Sequence, residues 1–148
     1  HTTIKQKGCW VRMHITLMAH DKKKELMVQF CIAYKGILEK HTVSATASTG
    51  RLVADATGLP VNLFLGRSQG GIQQVGARIA YNEVDLVLFF TDPNSSELWQ
   101  DQALVEILHL CDAHNVPCAT NLASAEMMVL GLARGDLDWR ENTHRGRF

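Results

Sequence analysis

The run Val84-Asp85-Leu86-Val87-Leu88-Phe89-Phe90 constrains the fold of this chain more than any other stretch. All of it but Asp85 is apolar, with no alternation of polar and apolar side chains. Such a run suits a central strand of a parallel sheet, covered by helices on both faces. Its surroundings agree. His14–Ala19, Thr42–Ala47, Val61–Leu65 and Val116–Thr120 are shorter β-prone runs. Pro117 limits the last of them to a strand start or a sheet edge. Segments with helical spacing lie between. From Lys23 to about Leu38, apolar side chains recur at Leu26, Met27, Phe30, Ala33, Tyr34 and Ile37. Arg51–Thr57 follows Ser48-Thr49-Gly50 and is stopped by Gly58-Leu59-Pro60. A third helix opens after Gly70-Gly71 and runs to about Asn82. A fourth spans about Asp101 to His114, and a fifth, Ser124–Leu132, is closed by Arg134-Gly135. Strands and helices alternate with short connections. This predicts an α/β fold of three layers, α/β/α, around a five-stranded parallel sheet with right-handed crossovers.

The 148 residues suit one domain, placed at 13–140. Residues 1–12 have neither an initiator Met nor a signal-peptide core and read as an extension. Residues 141–148 read as a loose polar tail. The formal net charge is zero, which argues against nucleic-acid or membrane partners. Lys22-Lys23-Lys24 reads as a solvated helical turn, and no apolar run is long enough to cross a bilayer. Cys9, Cys31, Cys111 and Cys118 show no paired spacing and suit free thiols in the cytoplasm. His109 and His114 lack carboxylate partners at ligand spacing, so no metal is expected. No nucleotide-binding glycine motif and no serine-hydrolase motif occurs.

In a parallel sheet, ligands sit at the carboxyl ends of the strands. Those ends here are His20-Asp21, Thr46–Thr49, Gly66–Gly71, Asp92 and Thr120-Asn121. The stretch Gly66–Gly76 lies between a strand and a helix, where backbone N–H groups and the helix dipole favour an anion. Thr46, Ser48, Thr49, Gly70, Gly71 and Lys24, one turn into the first helix, would form a phosphate pocket. Ser48 and Thr49 read alternatively as helix caps. Asp21 and Asp92 suit general bases if partial burial makes their carboxyls less acidic, or else hold loop N–H groups. His20 suits either a group that polarises a carbonyl or orients Asp21, or a structural strand end.

Several of these segments, in order, resemble one family. They are Ala19-His20-Asp21-Lys22-Lys23-Lys24, Thr46-Ala47-Ser48-Thr49-Gly50, Gly70-Gly71-Ile72-Gln73-Gln74-Val75-Gly76, Asp92-Pro93 and Ala119-Thr120-Asn121. Over essentially all of 13–140 the chain is similar to bacterial methylglyoxal synthase. The resemblance implies a hexamer that converts dihydroxyacetone phosphate to methylglyoxal and inorganic phosphate without metal or organic cofactor. It implies catalytic roles for His20, Asp21 and Asp92, and phosphate contacts from Lys24, Thr46, Ser48, Thr49, Gly70 and Gly71. It also marks departures. The family's Ser-Gly-Pro turn reads Gly66-Arg67-Ser68, so Arg67 and Ser68 are the candidates to replace its phosphate contact. The family's catalytic aspartate falls on Ile72, and its following histidine falls near Trp99. Asp21, Asp92 or Asp101 would then have to supply the base. Arg140, Arg145 or Arg147 is a candidate to reach a neighbouring subunit's phosphate, as the family's C-terminal arginine does.

Overall fold

The structure, a computed structural model, describes residues 11–95 and 101–141. Its strands are β1 (His14–Ala19), β2 (Thr42–Ala45), β3 (Val61–Leu63), β4 (Leu86–Phe90) and β5 (Cys118–Ala119). They form one sheet in the order β3-β2-β1-β4-β5, with every pairing parallel. The helices are α1 (Lys24–Ala33), α2 (Lys35–Leu38), α3 (Ala47–Thr57), α4 (Gly71–Ala80), α5 (Gln102–His114) and α6 (Leu122–Arg134). They lie on both faces, so the predicted three-layer parallel architecture is the one observed.

β4 is buried along its whole length and pairs with β1 from Ile15–Leu86 to Ala19–Phe90. Successive side chains of a strand point to opposite faces. Leu86, Leu88 and Phe90 therefore join Ile15, Leu17 and Ala19 in one core, against Met27, Phe30 and Cys31 of α1, Val53 of α3 and Val129 of α6. Val87 and Phe89 join Met18 in the other, against Ile72, Val75 and Ile79 of α4 and Ile107 and Cys111 of α5. On that second face the side chains of Thr42, Ser44 and Asn62 are polar, and they line an open hollow of about 400 Å³ beside α4.

Element ends differ from the sequence reading where tertiary contacts intervene. The second strand stops at Ala45 because Ala47 already begins α3. The helix read as Lys23–Leu38 is a 3-10 turn, Asp21–Lys23, followed by α1 and α2. Tyr34 separates the two helices in a non-helical conformation, its hydroxyl donating to Glu126 at 3.0 Å.

Asp85, the polar residue of the apolar run, is explained by Arg140. Both side chains are fully buried, and Arg140 Nε donates to Asp85 Oδ1 at 3.0 Å. The His14 N–H donates to Asp85 Oδ2 at 2.8 Å. Arg140 also donates to the carbonyls of Asn115 at 2.7 Å and Val84 at 3.3 Å. These groups lie at the amino ends of the strands, so Arg140 is held inside its own chain, away from the carboxyl rim. The expectation that it reaches a neighbour's phosphate is corrected accordingly; Arg145 and Arg147 lie outside the described residues. Breaking a buried ion pair leaves an uncompensated charge. Arg140→Ala is therefore expected to lower unfolding stability by about 3–5 kcal/mol, measured by urea denaturation.

His41 closes the same edge by accepting the Met13 N–H at Nδ1, 3.0 Å away. Burial, reinforced by the nearby Arg12 charge, lowers its pKa from 6.5 to about 4. The folded state thus disfavours the protonated ring, and the unfolded chain takes up the proton first as pH falls. Stability is expected to decline from about pH 6.5 to about pH 4 on this account. In His41→Asn, whose side-chain oxygen can accept the same N–H, denaturation midpoints should lose that slope.

Candidate active site

Because all strands are parallel, their carboxyl ends meet on one rim, where three helices begin without side-chain caps. Lys23 precedes α1, Thr46 precedes α3 and Gly70 precedes α4, and none of these starts carries a side-chain capping bond. The other two long helices that begin on this rim are capped. Asp101 accepts the Leu104 N–H at 3.1 Å, and Asn121 accepts the Ser124 N–H at 3.0 Å. Ser48 and Thr49 sit within the first turn of α3 and are not its caps. Thr46 and Thr49 are buried, yet neither Oγ1 has a hydrogen-bond partner among the described residues. A buried hydroxyl left unpaired costs about 1–3 kcal/mol, so both are able to donate to a further group. Lys24 Nζ stands beside them, donating to Ser48 Oγ at 2.7 Å and pairing with Asp21 Oδ1 at 2.8 Å.

The turn before α4 requires its glycines. Gly70 has φ +102°, in the left-handed region. A Cβ on Gly71 would lie 2.1 Å from the Leu65 carbonyl oxygen. The backbone is drawn this tight because the Gly71 N–H donates to the Gly66 carbonyl at 3.0 Å. Arg67–Gln69 forms a 3-10 turn inside this loop, with Ser68 exposed and without a recorded bond to the cradle.

The second half of the rim is a polar cluster around His20. The Asp92 backbone N–H donates to His20 Nδ1 at 2.8 Å. That use of the Nδ1 lone pair leaves the ring proton on Nε2, which donates to Asp101 Oδ2 at 2.6 Å. Arg67 Nη2 reaches the same Oδ2 at 3.2 Å. The Arg67 guanidinium lies over Phe89, 5.4 Å from its centroid, and the His20 ring meets Phe89 edge-on at 5.5 Å. Burial pushes the Asp101 carboxyl up, but hydrogen bonds from His20 and Leu104 and the Arg67 charge outweigh it, so its pKa is lowered.

The sequence candidates separate on this geometry. His20 touches Asp101 and the Asp92 backbone rather than orienting Asp21. Asp21 is 92% exposed at its side chain, and the Lys24 hydrogen bond makes it more acidic, the reverse of what a base needs. Asp92 is buried, and its Oδ1 accepts the Asn94 N–H at 3.0 Å, which is the loop-holding role. Ile72 is 5% exposed and packs in the second core with Met18 and Phe89. Trp99 lies outside the described residues. Asp101, which the sequence offered chiefly as a helix start, is the carboxylate that His20 and Arg67 share. Its position before an apolar helix was the available signal; contacts more than thirty residues away in sequence were not.

Comparison with known proteins follows the same lines. The family model described as MGS-like domain matches residues 26–120. Methylglyoxal synthase of Caldicellulosiruptor saccharolyticus is 56% identical over 129 residues, covering 87% of this chain and 91% of that protein. Methylglyoxal synthase of Thermoanaerobacter pseudethanolicus is 50% identical, covering 87% of this chain and 97% of the relative. The crystal structure of methylglyoxal synthase from Elizabethkingia anophelis superposes with a TM-score of 0.72 at 33% identity, covering 80% of this chain and 77% of that one. The fold is that of an MGS-like domain, and the chain belongs to the methylglyoxal synthase family.

Thr49→Val removes an unpaired hydroxyl. It is expected to leave unliganded stability unchanged or to raise it by up to about 1 kcal/mol. The same change should shrink the rise in Tm that millimolar inorganic phosphate produces, as followed by calorimetry.

Proposed function

We propose that the chain is a carbon–oxygen lyase that converts dihydroxyacetone phosphate to methylglyoxal and inorganic phosphate. The observation that carries this reading is the pair of buried, unpartnered hydroxyls of Thr46 and Thr49 beside Lys24 and Ser48. They face the start of a helix that nothing caps. In this reading the substrate phosphate takes those groups and the Gly70-Gly71 turn. Asp101 removes a proton from the carbon next to the carbonyl, and an enediolate forms. The enediol hydroxyl then gives up its proton, and the electron pair expels phosphate by breaking the carbon–oxygen bond. The enol left behind ketonises to methylglyoxal. His20 holds Asp101 in place through Nε2.

Ile72 cannot take a proton, and loss of a general base typically slows a reaction about 10²–10⁴-fold. Asp101 is held acidic by its donors, which weakens it as a base. Both points favour a second reading, a phospho-ligand-binding protein of the same fold with little or no turnover, or with a changed substrate. Incubation with dihydroxyacetone phosphate, with methylglyoxal and phosphate measured together, separates the two. On the lyase reading the chain produces both in equal amounts, and Asp101→Asn lowers the rate at least tenfold, toward the ~10²-fold scale of a lost base. A wild-type rate equal to that of Asp101→Asn would sink it. A large gain from Ile72→Asp alone would favour the silenced scaffold. The hexamer implied by the resemblance and the cytoplasmic setting read from the cysteines belong to the same proposal, and light scattering of the intact chain measures the first.

A further inference from the structure

We propose that Arg67 polarises the substrate carbonyl and holds the negative charge of the enediolate, a role distinct from the phosphate cradle. This rests on the lyase reading above. A developing oxyanion needs an N–H donor already aimed at it. His20 has none to give. Its Nδ1 takes the Asp92 N–H, and its Nε2 faces Asp101 at 2.6 Å. Lys24 is held between Asp21 and Ser48 at the start of α3, beside the unpaired threonines.

Arg67 is placed differently. Its recorded polar contact is from Nη2 to Asp101 Oδ2 at 3.2 Å, and Nε is buried with no acceptor among the described residues. About a third of the side chain, 32%, is exposed on this rim. Phe89 covers one face of it, at 5.4 Å, and keeps that face from water. A guanidinium stays charged through the range in which an enzyme works. A ligand oxygen at the exposed part of the side chain would accept from the fork where Asp101 does not.

The chemistry asks for this neighbourhood. The carbon that loses the proton is bonded to the carbon that bears the carbonyl oxygen. The base and the oxyanion donor therefore have to be neighbours, and Asp101 and Arg67 are in contact. When Asp101 takes the proton, the electron pair moves toward the carbonyl oxygen, and its charge meets the guanidinium. The phosphate remains on Lys24, Thr46, Ser48 and Thr49.

Two ligands separate the roles. Inorganic phosphate probes the cradle alone. Phosphoglycolate carries the same phosphate and a planar carboxylate in place of the enediolate. Affinities for both are measured by titration calorimetry on the intact chain and on Arg67→Met and Arg67→Lys. Arg67→Met is expected to leave phosphate affinity within about twofold and to weaken phosphoglycolate about tenfold or more, the scale of a hydrogen bond between charged groups. Arg67→Lys should recover part of the loss, because an ammonium keeps the charge without the planar fork. Equal weakening of both ligands would place Arg67 in the phosphate cradle and overturn the proposal. So would no change in either. Failure of the wild-type chain to bind phosphate would remove the cradle and both readings with it. A chain that meets the binding expectation yet makes no methylglyoxal overturns the lyase reading while the Arg67 contact stands.

Discussion

The parallel pairing of β4 with β1, both buried in two cores at once, is the constraint on which the rest depends. Ile15, Leu17 and Ala19 meet Leu86, Leu88 and Phe90 on one face, while Met18 meets Phe89 on the other. A slip of one residue would exchange the faces and put each side chain against the wrong helices. The register also sets the rim. His20 follows β1 and Asp92 follows β4 closely enough that the Asp92 N–H reaches the His20 ring. At the opposite end, Asp85 and Arg140 anchor the start of β4 to the end of the described chain.

The rim divides into two chemical halves. One half holds the unpaired, buried hydroxyls of Thr46 and Thr49 and the uncapped starts of α3 and α4, with Lys24 beside them on Ser48 and Asp21. In the other half Asp101 receives His20, Arg67 and the Leu104 N–H, and Arg67 Nε is buried without a partner among the described residues. These bonds give the His20–Asp101–Arg67 cluster a defined geometry. Ile72 lies beneath this cluster, and Phe89 is shared by the core below and the charges above.

Much of this was legible in the residues. Periodicity identified the five strands and the helices between them, because burial on one or two faces leaves a direct mark on sequence. Parallel topology placed Thr46, Ser48, Thr49, Lys24 and the Gly70-Gly71 turn on one edge. The roles of the acids were not legible. Asp21, Asp92 and Asp101 are the same residue type at similar positions. Exposure and a lysine partner make the first acidic, a loop N–H occupies the second, and only the third meets an imidazole. Such differences arise between residues distant in sequence, where no local pattern reports them. Asp85 is similar: an anomaly in an apolar run until Arg140, 55 residues on, accounts for it.

The sequence by itself determined the layer order of the fold, the family, and the glycine turn before a helix. Each follows from local rules of period, backbone freedom and the direction of strands. Tertiary structure alone decided which carboxylate meets His20 and Arg67, that Ile72 belongs to the core, and that Arg67 stands over Phe89. Those facts depend on which side chains the sheet brings within hydrogen-bond distance. At a few ångströms, burial and charge decide whether an aspartate holds a loop, pairs with a lysine or faces a substrate.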